Sequence, residues 1–140
     1  ALSALTVFGN TTASNLRTLF VGYSLGSFVS MQLLSNVWRL GVHCDNILLV
    51  NGMCSGTHMT PKYKFLSKCL GLSVKPHIKQ SMVPICLLHS REDIVIPIQE
   101  ALDLMKECKL VGRSAQLLVC EGKHASYTMC DNIHRKLQIL

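Results

Sequence analysis

The strongest constraint on this chain is a set of short apolar runs that alternate with helix-forming segments. Residues 16–23, 47–50, 83–88 and 115–120 are compact runs of strand length. They lack the polar alternation of a strand with one wet face, so they read as strands covered on both faces. Between the first two, residues 25–40 place Leu25, Phe28, Val29, Leu33, Val37 and Leu40 at helical spacing, closed by Gly41. Residues 97–110 read as a helix with a proline in its first turn, where the missing N–H costs little. Segments 2–8 and 126–140 predict an opening and a closing helix. The alternation predicts an α/β fold, a parallel sheet with helices on both faces.

Between residues 53 and 82 the pattern weakens, because Pro61, Gly71 and Pro76 interrupt it and only 64–70 suggests a helical turn or two. At 140 residues the natural division is a single domain over 1–140 carrying an insert at about 53–82. With 49% hydrophobic and 16% charged residues the chain is too apolar for disorder. No apolar run approaches the roughly 18 residues of a membrane-spanning helix, so a soluble globular chain is expected. Its first residue is Ala1, not Met, which fits a processed chain or a fragment.

The formal net charge of +6 is concentrated. No acidic residue lies between Asp45 and Glu92, whereas Lys62, Lys64, Lys68, Lys75, Lys79 and Arg91 do, and elsewhere the two signs balance. Such a stretch is most simply a solvated insert, or a draw for anionic substrates or a membrane surface. A basic face for nucleic acid is not indicated, and too few aromatics accompany the lysines to stack bases. The seven cysteines are odd in number, irregularly spaced and without a CxxC pair. With no basic and apolar leader at the N-terminus, a reducing, cytoplasmic location is expected.

One motif carries chemistry. Gly22-Tyr23-Ser24-Leu25-Gly26 is a G-x-S-x-G between a predicted strand and a predicted helix. A serine on so tight a turn stands proud of the sheet, and Gly22 and Gly26 leave room for the compressed backbone. The N–H of Leu25, at the helix start, can face a developing oxyanion. Serine needs a base to be a nucleophile, and candidates follow at later strand ends. Residues 83–88 lead into His89-Ser90-Arg91-Glu92-Asp93-Ile94-Val95-Ile96-Pro97, and 115–120 into Glu121-Gly122-Lys123-His124. A parallel sheet gathers these carboxyl ends on one edge.

The segments VGYSLGS, HSREDIVIP and EGKH resemble the nucleophile elbow, acid loop and histidine loop of the α/β-hydrolase-fold serine hydrolases. The resemblance covers nearly the whole chain and implies the C-terminal portion of that fold. It implies Ser24 as nucleophile, Asp93 as acid, His124 as base and the Leu25 N–H as one oxyanion donor, with no cofactor. The family's first strands, and the loop supplying its second oxyanion donor, would lie before Ala1. Ser90 stands where the family commonly has Gly.

Several rivals stay open at this point. Glu92 and Asp103 compete with Asp93, which fits the spacing to Val95 and Pro97 better. His89 reads more readily as a structural histidine. Cys54 with His58, Cys86 with His89 and Cys120 with His124 are spaced like metal ligands. On a strand, however, positions i and i+3 face opposite sides, so Cys86 and His89 could not share one ion without a bend, and no metal is expected. The expectation is therefore a serine hydrolase cleaving a carboxylic ester, thioester or related small-molecule acyl bond through an acyl-enzyme, with the insert acting as a lid. The alternative is a non-catalytic hydrolase-like fragment that binds a partner chain or itself through the exposed edge of the elbow strand.

Overall fold

The computed structural model describes residues 18–37 and 43–128. The predicted opening helix at 2–8 lies outside them. Five strands form one sheet in the order β1 (Leu19–Tyr23), β2 (Asn46–Val50), β3 (Ile85–Ser90), β4 (Ala115–Lys123) and β5 (Ser126–Thr128). The first four are parallel, and β5 returns antiparallel to β4. Connecting them are α1 (Gly26–Val37), α2 (Pro61–Cys69), α3 (Lys75–Gln80) and α4 (Ile98–Leu110). None of the described helices is long and apolar enough to cross a membrane.

The two central strands, β2 and β3, bury both faces as expected, whereas the outer strands β1 and β4 each leave one face exposed, with Leu19, Val21 and Tyr23 on β1 and Val119 on β4. Ile47, Leu49, Ile85 and Leu87 join Met31 and Leu34 of α1, Ile78 of α3 and Leu104 of α4 in the main core. The alternate residues Leu48, Val50, Cys86, Leu88, Leu118 and Cys120 make a second buried cluster on the other face. Period-two alternation within uniformly apolar strands thus serves two cores.

Helix α1 is oriented differently from what its apolar spacing suggests. Phe28 packs against the main core, but Leu25, Val29 and Leu33 remain 49%, 45% and 42% exposed. The face turned to the sheet instead carries Ser27, Ser30, Met31 and Leu34, all buried. Close approach explains the serines. A Cβ on Gly22 would stand 2.7 Å from the Gly26 carbonyl oxygen and 2.8 Å from the Ser27 Cα and the Ser30 Oγ. Only a glycine on β1 and small residues on α1 let the two backbones meet.

Two further expectations are corrected. Pro61 and Pro76 do not interrupt the 53–82 segment; each sits at the start of a helix, α2 and α3, where proline's fixed φ suits the first turn. Residues 126–128 are strand and not the start of a helix, because their backbone groups are taken up by pairing with Glu121–Lys123. The remainder of the predicted closing helix lies outside the described residues. The resulting hairpin puts His124 in its turn.

Candidate active site

The carboxyl ends of the parallel strands lie on one edge and bring distant residues together. Ser24 follows β1 directly, and its N–H donates to the Val50 carbonyl at 2.9 Å, continuing the ladder one residue past the strand. Its φ of +53° lies in the left-handed region, which costs a non-glycine residue energy and marks a turn held by its surroundings. The turn is braced from α1, where the Ser27 N–H donates to the Ser24 carbonyl at 3.0 Å and the Ser27 hydroxyl at 2.6 Å.

His124 reaches Ser24 across the edge, its Nε2 lying 2.9 Å from the Ser24 Oγ. Its Nδ1 lies 2.6 Å from Asp93 Oδ2. Asp93 has a fully buried side chain, and its other oxygen, Oδ1, accepts the N–H groups of Val95 at 2.9 Å and Ile96 at 2.8 Å. Both carboxylate oxygens are therefore committed, one to the loop and one to the imidazole. With Nδ1–H donating to the carboxylate, Nε2 is left with its lone pair toward the hydroxyl, the tautomer a base requires. The Leu25 N–H, in the turn before α1, meets no acceptor among the described residues.

The rivals are separated by the same geometry. Glu92 is exposed and uses its main chain, with the N–H donating to the Gly122 carbonyl at 3.1 Å. Asp103 lies on α4 and pairs with His58 Nε2 at 2.9 Å. His89 is buried, with Nε2 2.8 Å from the Ile96 carbonyl oxygen; burial holds its pKa below the usual imidazole value. Ser90, fully buried at the end of β3, donates its N–H to Asn51 Oδ1 at 2.7 Å. Among the described residues no three His, Cys, Asp or Glu side chains converge as metal ligands. Burial pushes the Cys54 thiol up to about 12 and the Cys108 thiol up to about 11, so neither supplies a thiolate near neutrality.

Sequence reasoning missed three contributors. Tyr23, inside the G-x-S-x-G, donates its hydroxyl to the His124 carbonyl at 2.7 Å. Asn51 Nδ2 donates to the same oxygen, also at 2.7 Å. Glu100, fully buried on α4, accepts four main-chain N–H groups from the start of the 53–82 segment. Oε2 takes those of Cys54, Ser55 and Gly56, each at 2.9 Å, and Oε1 takes that of His58 at 2.7 Å. The separations in sequence, from 42 to 101 residues, leave no local pattern to read.

This parallel sheet with its crossover helices is part of an α/β-hydrolase fold, the fold shared by many serine hydrolases. It superposes on acylaminoacyl peptidase from Pyrococcus horikoshii with a TM-score of 0.62 at 18% identity, covering 77% of this chain and 20% of that one. A puromycin-hydrolyzing peptidase from Mycobacterium tuberculosis gives 0.65 at 14% identity over 86% and 20%. A carboxylesterase from Lactobacillus plantarum gives 0.59 at 14% over 77% and 46%. The chain thus spans between a fifth and a half of these proteins' lengths. No protein-family model and no curated protein matches the sequence.

Proposed function

We propose that this protein is a serine hydrolase that cleaves a carboxylic ester, thioester or related small-molecule acyl bond through an acyl-enzyme. The observation that carries this is the unbroken chain of contacts from Ser24 Oγ to His124 Nε2 and from His124 Nδ1 to Asp93. In this reading Ser24 attacks the carbonyl carbon while His124 takes its proton. The Leu25 N–H donates to the oxyanion, and His124 returns the proton to the leaving group. Water, deprotonated by His124 in turn, attacks the acyl carbon, and Ser24 leaves with the proton. Asp93 holds the imidazole tautomer and supports its charge throughout.

Substrate choice falls in this reading to the 53–82 segment as a lid. Its α3 half packs into the main core through Val74 and Ile78. Its α2 half leaves Phe65, Leu66 and Leu70 exposed and places Lys64 and Lys68 on a depression shared with Ser55 and Thr57. An apolar acyl group with an anionic neighbour suits that mixture. A reducing intracellular setting suits Cys44, Cys54, Cys69, Cys86, Cys108 and Cys120, which are all free thiols.

A second reading, a non-catalytic interaction module, draws on β1. Among the described residues this strand pairs with β2 alone, which leaves the main chain of its outer edge to take another strand, and on its face Leu19 and Val21 are 42% and 51% exposed. A fluorophosphonate probe decides between the two. Covalent label on Ser24, lost in Ser24→Ala and His124→Ala, is the expected result. A folded sample that stays unlabelled refutes the hydrolase, and strand pairing then shows as self-association or partner capture in sedimentation.

A further inference from the structure

The imidazole of His124 has to meet Ser24 and Asp93 at once, yet it sits in a two-residue hairpin turn at the sheet edge with Ala125 exposed beside it. A ring on so short a turn is placed by its own main chain. Both known ring contacts, at 2.9 Å to Ser24 and 2.6 Å to Asp93, depend on where that main chain stands.

Two donors from elsewhere converge on the His124 carbonyl oxygen, Asn51 Nδ2 and the Tyr23 hydroxyl, each at 2.7 Å. The Tyr23 ring also lies against the imidazole, with centroids 5.4 Å apart and planes tilted by 36°. Asn51 is completely buried and has a φ of +45°, a conformation asparagine tolerates better than most residues. Its N–H donates to the Leu88 carbonyl at 2.8 Å, and its Oδ1 accepts the Ser90 N–H at 2.7 Å. One amide thus ties the end of β2 to the end of β3, three residues before Asp93, and to the histidine turn. The Ser90 N–H can only donate and the His124 carbonyl can only accept, so the site requires a side chain with one acceptor and one donor. An amide satisfies both; a carboxylate satisfies one.

We propose that Asn51, seconded by Tyr23, is a positioning residue: it clamps the His124 main chain so that the imidazole is held in register with both Ser24 and Asp93. This deepens the serine-hydrolase reading and rests on it for its kinetic consequence, although the clamp itself is a matter of geometry. Asn51→Asp is the selective variant. It keeps the acceptor for Ser90 and turns a second carboxylate oxygen toward the His124 carbonyl. Asn51→Gly removes both bonds and accepts the positive φ without strain.

The experiment uses the full chain and two readouts. The rate constant for fluorophosphonate labelling of Ser24 is expected to fall about 100-fold in both variants, the effect of displacing a reacting group by about 1 Å. Nuclear magnetic resonance of ¹⁵N-histidine protein is expected to show a sharp, exchange-protected His124 Nδ1–H in the unsubstituted protein and an exchange-broadened one in both variants. A role confined to stability would lower the melting temperature and leave this resonance unchanged well below melting. Tyr23→Phe, which removes only the second donor, is expected to slow labelling about fivefold, near one net hydrogen bond. It decides the matter if both Asn51 variants fail to fold, and unchanged labelling and resonance in it then overturn the clamp. Folded Asn51 variants with an unchanged resonance overturn the clamp whatever Ser24 does. Absence of label on the unsubstituted protein overturns the hydrolase reading alone, since the resonance still reports the clamp.

Discussion

Replacing Asp93 with Asn should separate chemistry from stability. The direction is set by what each carboxylate oxygen does. Oδ1 accepts two main-chain N–H groups, from Val95 and Ile96, and Oδ2 faces His124 Nδ1 at 2.6 Å. The asparagine amide can point two ways. With its NH2 toward Val95 and Ile96, two donors in a buried loop lose their acceptor, at about 1–3 kcal/mol each. With its oxygen toward them, both bonds survive, and that orientation wins. The NH2 group then donates to His124 Nδ1, the ring proton moves to Nε2, and Nε2–H points at the Ser24 hydroxyl. The base has become a donor. A wrong-tautomer triad of this kind loses about 10⁴-fold in rate, equivalent to roughly 5.5 kcal/mol of barrier. Folding stability, by contrast, should change by no more than about 1 kcal/mol, since every buried group keeps a partner. The Asp93→Ala variant orphans Val95 and Ile96 and should lose about 2–5 kcal/mol of stability as well. Labelling by fluorophosphonate under pseudo-first-order conditions, alongside urea denaturation, measures both quantities. Asp93→Asn labelling within tenfold of the unsubstituted protein, or a rate loss that only tracks a loss of folded protein, would refute the tautomer argument.

Two further outcomes are expected. Glu100→Ala should cost about 2–4 kcal/mol in urea unfolding, because four N–H groups lose an acceptor worth roughly 1 kcal/mol each, in full for the buried Cys54 and Gly56 and in part for Ser55 and His58, which water can reach; Glu100→Gln should cost about 1 kcal/mol, since its amide oxygen can serve the three donors on one side while its NH2 opposes the His58 N–H. A Gln variant as unstable as the Ala one would contradict this. Acid should also destabilise the fold: burial lowers the His89 and His77 pKa values from the ordinary 6.5, so below pH 6.5 the unfolded chain binds protons that the folded chain refuses. Stability then falls with pH from about 6.5 down to the lower folded values, by at most about 1.4 kcal/mol per unit for each group, and His89→Gln should remove its share of the slope in urea midpoints taken from pH 7.5 to 5.5.

The amino-acid sequence by itself determined the parallel α/β architecture and singled out Ser24, Asp93 and His124 as candidates, with Glu92 and Asp103 as rivals for the acid; the fold decided which side chains meet at the sheet edge. Strands apolar throughout can be buried only between two layers, and a glycine-flanked serine between strand and helix signals its turn locally. Asp93 was legible by its spacing to Val95 and Pro97, because its carboxylate caps the loop formed by the residues next to it. Other features depend on contacts that no window of sequence contains. The Leu25, Val29 and Leu33 stripe looks like a core face, but close approach of α1 to Gly22 turned the serine-bearing face inward and left the stripe exposed. Residues 126–128 became strand because β4 extended beyond Cys120 and offered them partners. Asn51 and Glu100 carry ordinary polar side chains in sequence, and only the packed fold decided what they bind. Both are completely buried, and a buried polar group must find partners wherever the chain supplies them. For Asn51 those lie 39 and 73 residues away, and for Glu100 between 42 and 46.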